Sequence, residues 1–357
     1  MRQDLTYAVM FLVLVVLASS GQKFKPHYTI GRVADTLSEP SFEGTSIAGR
    51  TENSEIKFEF EETPVQSGFK MEGFWIWGGS MIKEDSIYHL FASRWPKSGP
   101  FPEGYRTGSE IVRATSGSPF GPFKFEEVVI GERDSSFWDS NMAHNPTVHK
   151  IGDEFVLFYI GSDFSTIRAG SGNLLRRVGY ARSKSICGPW ERSDSPLIDA
   201  ESNNPAVYFR GDSTIIMYRD ADLRIFIAGA KSFTGPYKTM NTNVWPDTRL
   251  EDFYVFRSSG LYHMICEDNT GGVSGHVRWG VHFYSSDGLN DWNKYDPVIV
   301  YNHEIRFSDG SLLNCNRRER PQLLIEDGQA TFLITSVFDG NSSWNQPVKL
   351  KIPIIVE

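Results

Sequence analysis

One pattern recurs along the chain: a polar corner, a run typical of a β-strand, a tight turn, and two more such runs. The clearest copy occupies residues 138–190. Its polar corner, His-Asn-Pro at 144–146, precedes a Gly-Asp turn and the apolar run 155–160, and a Cys-Gly-Pro-Trp turn ends it. Short β-branched and aromatic runs separated by Gly, Asp and Ser turns are typical of antiparallel hairpins. A repeat of such units restricts the chain to architectures assembled from similar β-sheets.

Five units of about three strands each can be traced. Three of them end in turns with Pro122, Pro189 and Pro236, which lie 67 and 47 residues apart. A period of this size, with several strands per unit and no long helical periodicity, predicts an all-β fold, a single five-bladed β-propeller at 21–357. The predicted blades occupy, approximately, residues 73–130, 139–198, 203–245, 250–298 and 318–357. The last unit lacks a strand, and we expect an N-terminal strand near 56–60 to close it.

The N-terminal sequence predicts that the protein is exported from the cytoplasm. Arg2 is the only basic residue before the uncharged run 7–17, and Ala-Ser-Ser follows at 18–20. This is typical of a cleaved signal peptide at 1–20 and indicates a secreted or periplasmic protein, with a retained anchor as the weaker alternative. We expect no membrane contact beyond this segment. The three cysteines match no zinc spacing and are expected to be small buried residues.

The net charge of the chain argues against nucleic acid as a partner. The net charge is −8 over 357 residues, so the chain has no general attraction for a phosphate backbone and we expect no nucleic-acid partner. A local arginine cluster still permits an anionic polysaccharide. The sequence does not indicate an oligomeric state.

The entry points of the innermost strands are the candidate functional site, because a propeller brings them together at one mouth. Glycoside cleavage needs one acid to protonate the leaving oxygen and one carboxylate to attack or to activate water. The predicted catalytic residues at these corners are Asp139, His144, Glu251, Asp252 and Glu319. The predicted substrate-binding residues are Trp77, Ser80, Arg94, Asn145, Asn204, Arg219 and Arg320.

Each of these assignments has a structural alternative. Asp139 can cap a turn after Trp138. Glu251 and Asp252 are adjacent, so they point to opposite faces unless the strand starts with a bulge. Glu319 lies between two arginines and can be a structural ion pair. No cofactor is required, although a Ca²⁺ or Na⁺ ion in the funnel remains open.

The five corners WGGS, HNPT, NNPA, ED and RERP resemble those of the five-bladed propellers around glycoside hydrolase family 43, and more closely a secreted, family 43-like subgroup. The resemblance covers nearly all of the chain after residue 20. It implies a glycosidase with an acid in each of blades one, two and three. Here blade one has Gly78-Gly79-Ser80 and blade three has Asn203-Asn204, so only Asp139 matches.

The predicted function is therefore a secreted glycosidase that cleaves a plant or algal polysaccharide or oligosaccharide. Because blades one and three lack the expected acids, a non-catalytic carbohydrate-binding propeller is an alternative. A polysaccharide lyase, which would use arginine to neutralise a uronate, is a second alternative. Whether hydrolysis inverts configuration depends on whether the carboxyls are about 6.5–9.5 Å apart.

Overall fold

A computed structural model describes residues 56–166, 174–245 and 249–357. The predicted signal peptide at 1–20 lies outside the described residues. Four of the sheets have four strands each, in the order in which the strands occur along the chain. They are β1 (Phe74–Glu84), β2 (Ile87–Pro96), β3 (Glu110–Ser116), β4 (Lys124–Ile130); β5 (Met142–Ile151), β6 (Glu154–Ser162), β7 (Arg177–Ser183), β8 (Glu191–Arg192); β9 (Asn203–Arg210), β10 (Ser213–Arg219), β11 (Ile225–Ala230), β12 (Lys238–Asn241); and β13 (Leu250–Ser258), β14 (Leu261–Asp268), β15 (Trp279–Ser285), β16 (Asn293–Tyr301).

A short hairpin of β17 (Glu304–Arg306) and β18 (Leu312–Asn314) leads to the fifth sheet, which has β19 (Arg317–Glu326), β20 (Gln329–Phe338) and β21 (Ser343–Ile355). The first strand of each sheet contacts the first strands of both neighbouring sheets, in the cycle β1, β5, β9, β13, β19 and back to β1. The prediction of an all-β, five-bladed propeller is confirmed. A 3₁₀ helix at Glu103–Thr107 follows β2. Among the described residues, no helix is long and apolar enough to cross a membrane.

Our expectation of three strands per unit was one strand short. Three of these four outermost strands are short or begin with charged residues: β8 has two residues, β12 has four, and β4 begins with Lys-Phe-Glu-Glu. Because an outermost strand is an edge exposed to water, its sequence lacks the dense apolar run that marks an inner strand. The expectation for the cysteines held only in part, since Cys266 and Cys315 are buried but Cys187 is exposed.

The N-terminal segment pairs with the last strand of the fifth sheet. Phe60 forms a bridge with Leu350, and Glu61 N–H donates to the carbonyl of Lys349 over 2.9 Å. Further along, Phe69 and Asn345 exchange two backbone hydrogen bonds. The N-terminal and C-terminal parts of the described chain are thereby joined by backbone hydrogen bonds, and the ion pairs of Lys349 with Glu61 and of Lys351 with Glu59 add to them.

Every innermost strand carries a kink at the same place. Gly78, Asn145, Asn204, Asp252 and Arg320 all have positive φ angles, between 50° and 60°, and each lies within a polar corner. The pairing with the second strand shifts beside each of them. Such a β-bulge re-aims the side chains at a strand end. The adjacent residues Glu251 and Asp252 would point to opposite faces of a regular strand. The bulge is present here, so the alternation of side chains is broken at these two residues.

Blade four contains a buried pair of histidines, His263 and His282. His263 donates from Nε2 to the carbonyl of Ser258, and its Nδ1 lies 3.0 Å from Nε2 of His282. Nδ1 of His282 is buried without a partner among the described residues, and the ring of Phe58 packs edge-on against His282. Burial lowers the pKa of His263 to about 4. Burial, together with His263, lowers the pKa of His282 well below its usual value.

We predict that this pair makes the fold sensitive to acid. Above about pH 6.5 the histidines are neutral in the folded and the unfolded chain. As the pH falls from about 6.5 towards 4, only the unfolded chain takes up the protons. The free energy of unfolding then falls by up to about 1.4 kcal/mol per pH unit for each histidine. Urea unfolding at pH 7.5, 6 and 5 should show a shallower loss for the double variant His263→Phe, His282→Phe than for the wild type. The exposed His276→Gln is the control, and parallel curves would show that the pair does not contribute.

Candidate active site

The floor of the central funnel is a ring of the kinked residues. Asn145 donates from Nδ2 to Oδ1 of Asn204 over 2.8 Å, and Arg320 donates from Nη2 to the carbonyl of Asn145 over 3.4 Å. Nη1 of Arg320 lies 3.6 Å from Oδ1 of Asp252. A Cβ at Gly78 would collide with Oδ1 of Asn145, so blade one must have glycine here. All five residues are buried, which places this ring beneath the mouth.

Glu251 lies above the ring and reaches the funnel. Its Oε1 accepts a hydrogen bond from Nη2 of Arg219 and another from Nδ2 of Asn204, at 3.1 Å. Its Oε2 accepts from Nδ2 of Asn269 over 2.8 Å. The side chain is 16% exposed, the largest exposure among the acids grouped here. Three separate blade segments therefore hold this carboxylate in place.

Glu267 lies directly opposite Glu251 on the adjacent strand β14. Its Oε1 accepts a 3.1 Å hydrogen bond from Nη1 of Arg278 and lies 3.4 Å from Nδ2 of Asn269. Its Oε2 is buried without a partner among the described residues, and the side chain has no exposed surface. Sequence reasoning missed Glu267. Counting outwards from the turn pairs Glu251 with Asp268, and the bulge between Glu251 and Tyr254 shifts the pairing by one residue to Glu267.

Glu319 completes the acidic group from blade five. Nη1 of Arg278, which also bonds Glu267, donates to Oε1 of Glu319 over 2.7 Å. Arg317 donates to both oxygens of Glu319, from Nε over 2.5 Å and from Nη2 over 2.9 Å. The predicted structural ion pair of Glu319 therefore exists, although its partners are Arg317 and Arg278 rather than the sequence neighbours Arg318 and Arg320. Arg278 and Arg317 were not among the predicted site residues.

These surroundings drive the acids towards different protonation states. Burial alone would raise the pKa of Glu251, but its ion pair with Arg219, helped by Arg278 and Arg176, lowers it. Burial raises the pKa of Glu267 well above its usual value, and the neighbouring carboxylates raise it further against the effect of Arg278. Burial raises the pKa of Asp252 to about 7, with Arg320 opposing and the acids Glu251 and Glu319 adding to the rise. The surroundings therefore favour the ionised form of Glu251 and the protonated form of Glu267.

The same acids offer oxygen ligands for a cation. One oxygen each from Asp252, Glu267 and Glu319 lies within 4.8 Å of the others. Hard cations such as Ca²⁺ bind carboxylate oxygens of this kind. The guanidinium groups of Arg278, Arg317 and Arg320 already contact these carboxylates and supply positive charge. The group can therefore approach neutrality through protons and arginines alone.

A rim of aromatic rings borders the mouth on the side of blades five and one. Phe101, on the loop after β2, stacks on Phe338 with ring centroids 4.1 Å apart, and Trp75 lies 5.3 Å from it. These three rings are partly exposed. Trp77, a predicted substrate-binding residue, is only 6% exposed, and Trp95 is 1% exposed. They lie against Phe101, so the loop hides them.

The structure does not bring Asp139 to this group of acids. It is fully buried and accepts hydrogen bonds from Nε of Arg133 over 2.5 Å and from the hydroxyl of Tyr159 over 2.6 Å, while Arg192 lies 3.7 Å away. Its Cβ packs against Gly161 of β6. A carboxylate enclosed in this way is suited to holding the approach to blade two in place.

Two predicted substrate-binding residues also lie apart from the acids. Arg94 pairs with Glu110 and stacks between the rings of Phe74 and Phe125, within blade one. Ser80 accepts a hydrogen bond from the backbone of Val148, so it joins blades one and two below the ring. Arg94 and Ser80 are therefore interpreted as structural.

His144 is buried at the mouth side of blade two, stacked under Tyr105 at 4.4 Å and bonded to the hydroxyl of Ser109. Burial, with Arg320 and Arg176 nearby, lowers its pKa well below its usual value, so it is neutral at neutral pH. A positioning role for the loop that carries Tyr105 fits this environment better than proton transfer does.

No protein-family profile and no curated protein sequence matches this chain. Solved structures do match it. A BT0996 RGII complex has a TM-score of 0.63 at 14% identity, over 83% of this chain and 93% of that one. Zg3597, a family 117 glycoside hydrolase from Zobellia galactanivorans, has a TM-score of 0.60 at 14% identity, over 82% and 89%. A thermostable family-43 glycoside hydrolase has a TM-score of 0.58 at 13% identity, over 82% and 97%.

These likenesses define the class of the fold. The chain has the five-bladed β-propeller found in glycoside hydrolases of families 43 and 117, which agrees with the resemblance seen in the sequence. At such low identity the likeness extends to the backbone architecture. The chemistry of the site must therefore be inferred from the residues at the mouth.

We predict that Asp139 is a stability residue. Asp139→Asn leaves Arg133 and Arg192 buried without their carboxylate, so the free energy of unfolding should fall by about 3–5 kcal/mol. Chemical denaturation measures this. Asp134→Asn, an exposed acid five residues earlier, is the matched control and should change stability by less than about 0.5 kcal/mol. An equally small effect of Asp139→Asn would mean that the ion pair does not hold this segment.

Proposed function

We propose that the protein is a glycoside hydrolase whose catalytic pair is Glu251 and Glu267. The observation that carries this proposal is a pair of facing carboxyls that share the amide of Asn269 but differ in their other partners. Glu251 is paired with Arg219, whereas Oε2 of Glu267 is buried without a partner among the described residues. Glycoside hydrolysis needs one carboxyl that keeps its proton and one that has lost it, and different surroundings can establish that difference. Structures with the same propeller fold include glycoside hydrolases, which supports the choice of reaction class.

In this mechanism Glu267 is the acid and Glu251 the nucleophile. Glu267 gives its proton to the oxygen of the leaving sugar as the bond from that oxygen to the anomeric carbon breaks. Glu251 attacks the anomeric carbon and forms a glycosyl ester. Glu267, now ionised, takes a proton from water, and the resulting hydroxide displaces Glu251. Arg219 stabilises Glu251 as a carboxylate before attack and after release.

Access to Glu267 depends on Arg278. The guanidinium of Arg278 covers Glu267 and Glu319 and is itself 31% exposed at the mouth. A leaving group can reach Glu267 when Arg278 turns towards the bound sugar. The substrate is a carbohydrate of plant or algal origin, and the protein acts outside the cytoplasm. The N-terminal sequence supports this placement.

We predict that Glu251→Gln and Glu267→Gln each lower kcat/KM by about 10²–10⁴-fold, because each removes one half of the acid–base pair while retaining its shape. Product release from a panel of plant and algal polysaccharides measures this. Glu127→Gln is the control, since Glu127 also pairs with an arginine but lies on the outer strand of blade one. Undiminished turnover in both variants would contradict the assignment and direct attention to Glu319 and Asp252.

We also predict retention of configuration at the anomeric carbon. Nδ2 of Asn269 lies 2.8 Å from Oε2 of Glu251 and 3.4 Å from Oε1 of Glu267, so these two oxygens cannot be further apart than the sum, 6.2 Å. Retaining enzymes have carboxyls about 5–5.5 Å apart, whereas inverting enzymes need about 6.5–9.5 Å to admit a water. Proton NMR of the first-formed product should show the anomer of the substrate. The opposite anomer would exclude attack by Glu251 on the sugar.

A further inference from the structure

The outermost charged groups at the mouth are arginines rather than acids. The side chains of Arg278 and Arg317 are 31% and 23% exposed, while those of Glu267 and Glu319 beneath them are 0% and 4% exposed. A molecule that enters the funnel on this side therefore meets two guanidinium groups before it meets a carboxylate. This arrangement is unexpected for a chain with a net charge of −8.

Both arginines retain donors that no described residue uses. The hydrogen bonds from the Arg278 side chain to described residues all come from Nη1, which leaves Nε and Nη2 free to bond a ligand. Arg317 bonds Glu319 with Nε and Nη2, which leaves Nη1. A guanidinium with free N–H groups on one edge is suited to a planar carboxylate, because two parallel hydrogen bonds can form.

The backbone fixes Arg278 in an unusual conformation. Its φ angle is +64°, in the left-handed region that a residue with a side chain rarely adopts. Its N–H donates to the carbonyl of Asp268 over 2.7 Å, and its own carbonyl accepts from Nε2 of His303 over 3.1 Å. The carboxylate of Asp268 also accepts hydrogen bonds from the backbone of Val273 and Ser274. Strained residues held by their surroundings occur preferentially at functional sites.

Arg317 lies beside the aromatic rim. Its guanidinium carbon is 5.6 Å from the ring centroid of Phe101 and 5.6 Å from that of Trp77. The partly exposed rings of Trp75, Phe101 and Phe338 form an apolar surface next to it. A pyranose ring stacked on this surface would direct a substituent at its edge towards Arg317. The mouth thus places a surface for a sugar face next to donors for an anion.

The balance of charge at the mouth agrees with an anionic ligand. Four guanidiniums, those of Arg219, Arg278, Arg317 and Arg320, face four acids, Glu251, Asp252, Glu267 and Glu319. Burial and the neighbouring carboxylates favour the protonated form of Glu267, which moves the charge balance of these four arginines and four acids towards positive.

We propose that Arg278 and Arg317 bind the carboxylate of a uronic acid, so that the substrate of this funnel is an acidic oligosaccharide. The inference rests on the proposed function insofar as it names the substrate class of the same site. Binding of the carboxylate draws Arg278 away from Glu267 and uncovers the proton that the leaving oxygen needs. Binding of the acidic sugar thereby gives its leaving oxygen access to Glu267.

The experiment compares matched pairs of ligands. Uronate oligosaccharides prepared from pectin and from alginate are each paired with the carboxyl-reduced, neutral form of the same oligosaccharide. Affinity is measured by calorimetry on Glu251→Gln, so that turnover does not consume the ligand. At least one acidic member should bind about tenfold to a hundredfold more tightly than its neutral form, the effect of hydrogen bonds to a charged group. A sulfated agar or carrageenan oligosaccharide forms a third arm.

Arginine variants in the same background locate the effect. Arg317→Met and Arg278→Met should each reduce the preference for the acidic form by about tenfold or more, and Arg278→Lys should retain part of it. Arg257→Met is the matched control, because Arg257 lies at the other end of β13, where it pairs with Glu357. Thermal melting shows whether each variant is folded, and Arg317→Met still leaves Glu319 paired with Arg278.

Each outcome decides the inference. Equal affinity for both forms, a preference that survives both arginine variants, or no binding of any uronate overturns it. Binding of the sulfated ligand alone overturns the carboxylate as the recognised group. Preference for uronates without any hydrolysis by the wild type would remove the proposed catalytic activity and leave this inference standing. Hydrolysis of neutral oligosaccharides without a preference for uronates would support the proposed catalytic activity and overturn this inference.

Discussion

The convergence of five bulged strands on one axis is the constraint on which the rest of this structure depends. Each inner strand turns through a residue of positive φ at the same depth, and the five corners therefore meet in one small volume. Charged residues that are far apart in sequence, such as Arg219 and Glu251 or Arg278 and Glu319, are forced into contact there. Burial makes an unpaired charge very unfavourable, so the acids and arginines must pair, and an acid that has too few donors favours its protonated form.

This constraint accounts for the chemistry that we assign to the mouth. Glu251 has a guanidinium and two amides around it, which favour its ionised form, whereas Glu267 shares one nitrogen of Arg278 with Glu319, and its surroundings favour the protonated form. The difference between the two acids does not come from their own side chains, which are identical. It comes from how many donors the funnel supplies to each.

The position of the acids also distinguishes this chain from the pattern that its sequence resembles. Gly78 and Asn204 occupy kinked corners of blades one and three, and steric contact with Asn145 requires the glycine. The acids lie in blades four and five instead. A five-bladed frame presents an equivalent corner in every blade, so an acidic pair can be built on any two adjacent segments that face the funnel. The same architecture can therefore host chemistry at different angular positions around its axis.

The sequence by itself determined the all-β class, the five units and the corners that face the funnel, because turn residues and dense apolar runs are local signals. It also predicted Glu251, Asp252 and Glu319 as site residues, and the structure places these three acids near one another. What the sequence does not contain is the partners of each residue. Asp139 has the same local appearance as a funnel acid, but Arg133, Arg192 and Tyr159 enclose it, and those contacts depend on how neighbouring segments pack. Only the tertiary structure showed that Glu267 faces Glu251, that Arg278 covers Glu267, and that the tryptophans lie beneath a loop. Protonation, access and pairing depend on distances between atoms that are remote in sequence. A pattern of residue types does not contain those distances.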